Sequence, residues 1–130
     1  MYNTGEQSQN LYIQFMKTVR LITTTLFVLF LAPAILVHIA GLFTHITDES
    51  TASHLIHVVS YSLCLYTIVF AVKHRLSLYL VGALYPFLFH ANCFLTPLLQ
   101  QNKISYVCLL VIVMLPLGAV WIRKGPHTAG

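Results

Sequence analysis

The sequence predicts an all-α integral membrane protein, an antiparallel bundle of four transmembrane helices with both termini on the cytoplasmic side. Composition is the first observation behind this. Of 130 residues, 58% are hydrophobic and 8% charged, and the mean hydropathy is +0.80, whereas a soluble domain carries about 25% charged residues. So few charges could not cover a water-soluble globule, but a chain surrounded by lipid needs them only at its ends and loops. The second observation is a set of four apolar runs free of Asp, Glu, Lys and Arg. Amphipathic helices of a soluble bundle instead show a polar face at every turn. The third is the placement of the Lys and Arg residues, which sets orientation.

Residues 1–20 form a cytoplasmic flank. Residues 1–10 read as disordered, and Leu11, Tyr12, Ile13, Phe15 and Met16, mixed with Gln14 and Lys17, suit the headgroup interface or a helical extension of the first span. The first apolar run, 21–43, gives about 35 Å of helix, enough for a hydrocarbon core of about 30 Å with some tilt. It is longer than the apolar stretch of about 7–15 residues in a signal peptide, and no small-x-small cleavage site closes it, so it belongs to the mature protein. The second run, 55–72, just spans at about 27 Å. The third, 76–99, is long again, and 104–122 completes the set. The polar stretches 44–54, 73–75 and 100–103 are too short to hold another domain. The chain is therefore one membrane domain over 1–130, built of antiparallel hairpins.

Lys17, Arg20, Lys73, Arg75, Arg123 and Lys124 fall on one side of this arrangement, and Lys103 alone falls on the other with Asp48 and Glu49. The Lys/Arg bias places both termini in the cytoplasm. The net charge of +4 does not indicate nucleic acid, because the basic residues form separated clusters and no continuous stripe.

Histidine is the unusual component: there are seven, against three acidic residues. His45 and His54 fall in the outer loop and His57 near the outer mouth of the second helix. His38 and His90 lie about two and about two and a half turns below the outer surface. Asn92, Cys93 and Cys108 share that half of the bilayer, and ionisable residues inside a membrane point to a functional site. Neutral imidazole binds zinc, copper, nickel and haem iron, and thiolate suits Cu(I) or zinc, so His38, His57, His90 and Cys93 are the candidate transition-metal ligands. His54 with His57, and His90 with Cys93, are spaced i, i+3 on one helix face. A haem held by His57 and His90 is a variant that requires a flat apolar slot between facing rings. Proton or small-solute movement along the imidazoles is another.

The plain alternative is that these groups hold the helices together. Buried His, Ser and Thr hydrogen-bond across membrane helices for about 0.6 kcal/mol each, and Thr23, Thr24, Thr25, Ser60, Ser62 and Thr67 are read in this way. The odd number of cysteines without a CxxC pair excludes a disulfide framework and a zinc ribbon, and Cys64 reads as a small apolar residue. Pro33, Pro86 and Pro116 lie inside three spans, where each frees a backbone carbonyl. Pro33 precedes His38 by five residues and Pro86 precedes His90 by four, and the likeness of APAILVHIAGLF to YPFLFHANCFL suggests two duplicated hairpins.

The sequence predicts no enzyme. It has no GxSxG, P-loop, HExxH or Rossmann glycine pattern, and no paired carboxylates for acid–base work. It lacks the paired cysteines of small four-helix mercury carriers, and no His-bearing motif of the haem-anchoring subunits of succinate dehydrogenase is legible in it. Two readings follow. The chain handles a transition metal, proton or small solute at an outward-opening His/Cys cluster, or it is a non-catalytic accessory or assembly subunit of a larger membrane complex. Its expected partners are the lipid bilayer and either further copies of itself or that complex, with no nucleic acid.

Overall fold

The computed structural model describes residues 4–44, 50–70 and 73–124. They form four helices: α1 (Thr4–Thr44), α2 (Thr51–Val69), α3 (Arg75–Gln101) and α4 (Tyr106–Lys124), with no strand among the described residues. Each is long and apolar enough to cross a membrane.

Local chemistry sets the boundaries. The Ser50 side chain accepts the Ser53 backbone N–H at 3.1 Å and opens α2, which is how a serine satisfies one of the orphan donors of a first turn. The helix therefore starts four residues before the apolar run at 55, and His54 becomes part of its first turn. Ser105 serves α4 similarly, accepting the Cys108 N–H at 3.4 Å, so that helix begins at 106 and not at 104. Asn102 ends α3 in the left-handed conformation (φ 54°), and the N–H groups of Asn102 and Lys103 both reach the Pro97 carbonyl. This resembles the closure that a glycine commonly provides, with asparagine as the usual substitute. His74, also left-handed at φ 60°, precedes α3.

The first helix corrects the sequence reading. Residues 4–10, expected to be disordered, are helical, and α1 runs 41 residues without a break, or about 61 Å. That is roughly twice the hydrocarbon thickness of a bilayer. Only its second half packs inward, through Phe27, Leu31 and His38, while Leu11, Tyr12, Ile13 and Phe15 are exposed.

Cross-helix contacts give the register. His38 on α1 meets both His54 and His57 on α2. The Cys64 thiol on α2 approaches the Tyr79 carbonyl of α3, and further along His57 meets Phe89 and His90. Positions ascending on one helix meet positions descending on the next, so these neighbours are antiparallel. The Tyr79 hydroxyl donates to the Leu115 carbonyl of α4 at 2.7 Å, and Gly118 gives the phenol the room to lie there, with Phe27 of α1 beside it.

Two kinds of interior result. Phe27, Leu31, Tyr61, Cys64, Ile68, Tyr79, Ala83, Val111, Leu115 and Ile122, from all four helices, form one apolar core. Towards the α1–α2 connection, α1, α2 and α3 fill the same interior with imidazole. α2 is the most enclosed of the four helices. Thr67, expected to bond across helices, instead donates to the Cys64 carbonyl of its own helix at 2.8 Å. In apolar surroundings the carbonyl one turn back is the acceptor within reach.

Candidate metal centre

Three histidines from three helices meet: His38 of α1, His57 of α2 and His90 of α3 bring ligand nitrogens within 4.8 Å of one another. His57 lies at the centre and is fully buried. Its ring stacks on His38 with centroids 4.3 Å apart and planes 1° from parallel, and it meets His90 edge to face at 5.4 Å. Tyr85 and Phe89 of α3 close round it at 5.2 and 4.8 Å, and both ring nitrogens of His90 are sealed from solvent.

The backbone fixes the chemistry of the central ring. His57 Nδ1 lies 2.8 Å from the Ser53 carbonyl oxygen one turn earlier. A carbonyl only accepts, so Nδ1 carries the proton and, in the neutral ring, Nε2 carries the lone pair. Such an Nδ1–H to carbonyl bond is the usual support of a metal-ligating histidine. The Ser53 hydroxyl in turn accepts from the Tyr85 hydroxyl at 3.2 Å, which ties the first turn of α2 to α3.

Several sequence expectations change here. His54, assigned to the outer loop, is 2% exposed, and its Nδ1 lies 2.9 Å from Nδ1 of His38. The serine cap at residue 50 draws it into α2, where the i, i+3 spacing with His57 turns both towards α1. Cys93 is half-buried and does not join the three converging residues. Asn92 is exposed and accepts from Thr96 on its own helix, and Cys108 is half-buried on α4. Among the described residues, the ligand atoms that converge are those of three imidazoles. His45 lies outside the described residues.

The donor set fits a transition metal after a small adjustment. Nitrogens sharing a tetrahedral ion with bonds of about 2.0–2.1 Å sit about 3.3 Å apart, so this group must contract by up to about 1.5 Å. Imidazole lone pairs lie in the ring plane, and two parallel rings cannot aim them at one point. One of the stacked rings must tilt. His57 is held by Ser53 and by two aromatic neighbours and His38 is held at Nδ1 by His54, so the tilt is a turn of His38 about that nitrogen, a soft aryl-type torsion. A haem between His57 and His90 fits less well, because their rings already meet edge to face with centroids 5.4 Å apart and so enclose no flat slot for a macrocycle.

Comparison with known proteins supplies no relative: the chain matches no family model, no curated protein and no solved structure, and its own side chains carry the functional reading.

Proposed function

We propose that this is a multi-pass membrane protein whose His38–His57–His90 cluster binds a transition-metal ion. The supporting observation is the meeting of three imidazoles from three helices in one interior, with the Nδ1 proton of the central ring committed to a backbone carbonyl. Packing alone asks only that each histidine find a partner; it does not ask that they find the same place. Neutral nitrogen donors suit zinc, copper, nickel or cobalt and are a poor match for magnesium or calcium, which prefer oxygen. The Lys/Arg bias orients the cluster towards the outer face, with both termini in the cytoplasm.

The test is metal binding by the detergent-purified protein, with Zn²⁺ and, under reducing conditions, Cu⁺ titrated separately. The expected result is about one ion per chain, lost in the His57→Gln, His90→Gln double variant while far-ultraviolet circular dichroism keeps its helical signal. Binding that is equal in the double variant would overturn the proposal.

The accessory-subunit reading is favoured by a different observation. The first half of α1 is an exposed helix carrying Leu11, Tyr12 and Phe15, a surface suited to a larger assembly or to the lipid interface. Deletion of residues 1–16 separates the two roles: a partner bound to the arm is lost from mild-detergent preparations, whereas metal binding is retained.

A further inference from the structure

His54 belongs to the site although it is not one of the three converging ligands. It lies across α1 on Gly41, where a Cβ would come within 2.5, 2.6 and 2.8 Å of three of its ring atoms. No side-chain-bearing residue leaves that space, so the absence of a side chain at 41 decides whether His54 can reach α1. From this seat its Nδ1 meets Nδ1 of His38 at 2.9 Å, buried, with ring planes 55° apart. A single proton lies between two nitrogens at that distance, and whichever ring supplies it fixes the tautomer of both.

We infer that His54 is the positioning residue of His38: seated on Gly41, it accepts the His38 Nδ1–H and so presents His38 Nε2 as a metal-binding lone pair. The inference rests on the proposed metal reading and deepens it. The chemistry parallels that of His57, whose Nδ1–H is taken by the Ser53 carbonyl, so that two of the three ligands offer the same atom. In the opposite arrangement, with His54 donating, His38 would turn an Nε2–H towards the cluster, and an N–H cannot ligate. Histidine ligands generally give their second ring N–H to such a partner, and removing the partner weakens metal affinity by about 10–100-fold. With Nδ1 held, the tilt that His38 needs is a swing of Nε2 about an anchored nitrogen.

The experiment uses the full-length protein in detergent, labelled with ¹⁵N at histidine and free of metal. Two-bond ¹⁵N–¹H correlations then report which nitrogen of His38 is protonated. Wild type should show His38 as the Nδ1–H form. His54→Leu should move it towards the Nε2–H form and lower Zn²⁺ and Cu⁺ affinity by about 10–100-fold. His54→Asn, whose amide oxygen stands as many bonds from the backbone as Nδ1, should keep both properties near wild type. Gly41→Ala, which displaces the ring and removes no polar group, should reproduce His54→Leu even if that variant folds poorly.

A wild-type His38 in the Nε2–H form, or a tautomer indifferent to all three substitutions, would overturn the inference. Wild-type protein that binds neither ion but shows the expected tautomer and its loss would refute the metal reading and uphold the role of His54.

Discussion

Gly41→Ala is the substitution in which the structure gives the magnitude most directly. In an open helix interior, alanine is favoured over glycine by about 1 kcal/mol. Here the added methyl would sit 2.5–2.8 Å from His54 ring atoms, whereas ordinary carbon contacts lie at about 3.5–4.0 Å. The ring must retreat by about 1 Å, and a nitrogen pair now at 2.9 Å then passes beyond the limit of about 3.2 Å for a hydrogen bond. Overpacking of a filled interior costs about 1–3 kcal/mol, and the lost interhelical bond adds about 0.6 kcal/mol. Set against the helix-propensity gain, the net destabilisation is about 1–2 kcal/mol. Unfolding in graded sodium dodecyl sulfate against a mild detergent measures it, and the His54→Ala background supplies the control. There the methyl meets no ring, and Gly41→Ala should stabilise by up to about 1 kcal/mol. The two substitutions must therefore be non-additive, with the sign of the alanine effect reversing between backgrounds. A Gly41→Ala protein as stable as wild type in both backgrounds would refute the packing of α1 on α2 described above.

Three further outcomes follow from other parts of the fold. Asn102→Val should lower stability by about 1–2 kcal/mol because a β-branched residue resists the left-handed backbone at φ 54°, whereas Asn102→Gly should be neutral or stabilising in the same unfolding assay. Tyr79→Phe should cost about 0.6–1.7 kcal/mol by leaving the Leu115 carbonyl without the phenol, with metal binding unchanged because Tyr79 lies in the apolar half of the bundle. Cys93→Ala should leave the stoichiometry and affinity for Zn²⁺ and Cu⁺ unaltered, since the three converging ligand atoms are all imidazole nitrogens.

The spans were legible because solvation in lipid is written in composition: a stretch without charge and long enough to cross has few other uses. The ends of the helices were less so. Apolar runs mark where lipid begins, while caps such as Ser50 and Ser105 mark where hydrogen bonding begins, and the two differ by several residues. For α2 that difference carried His54 from loop to interior. The serine four residues ahead of that histidine was the available signal. His38, His57 and His90 could be grouped by depth, because depth along a helix follows from counting. Whether a face such as that of Cys93 turns to the same interior was not legible, because azimuth depends on which neighbour each face meets, and a run apolar on all sides does not state it. The role of Gly41 was hidden for the same reason: a glycine in a membrane helix permits close approach but does not name the residue that approaches.

Charge narrows the choice of ion. His57 lies six residues inside α2 and only two residues, about 3 Å, inside the apolar run that begins at 55, but it is fully buried, so a bound ion would be shielded from water. Its three ligands are neutral and leave the full charge on the site. The only acids in the chain are Glu6, Asp48 and Glu49. Glu6 stands on the order of 48 Å from His38 along α1, and Asp48 and Glu49 belong to the α1–α2 connection, outside the described residues. The cost of placing an ion in a medium of low dielectric rises with the square of its charge, roughly fourfold from one to two units. A donor set of three neutral imidazoles therefore favours a singly charged ion, and Cu⁺, which accepts imidazole, should compete effectively against Zn²⁺. Competition titration under reducing conditions measures the ratio. Tighter binding of Zn²⁺, weakened in the Asp48→Asn, Glu49→Gln double variant, would show instead that the connecting loop brings its two carboxylates to the ion and that the centre is not built from imidazole alone.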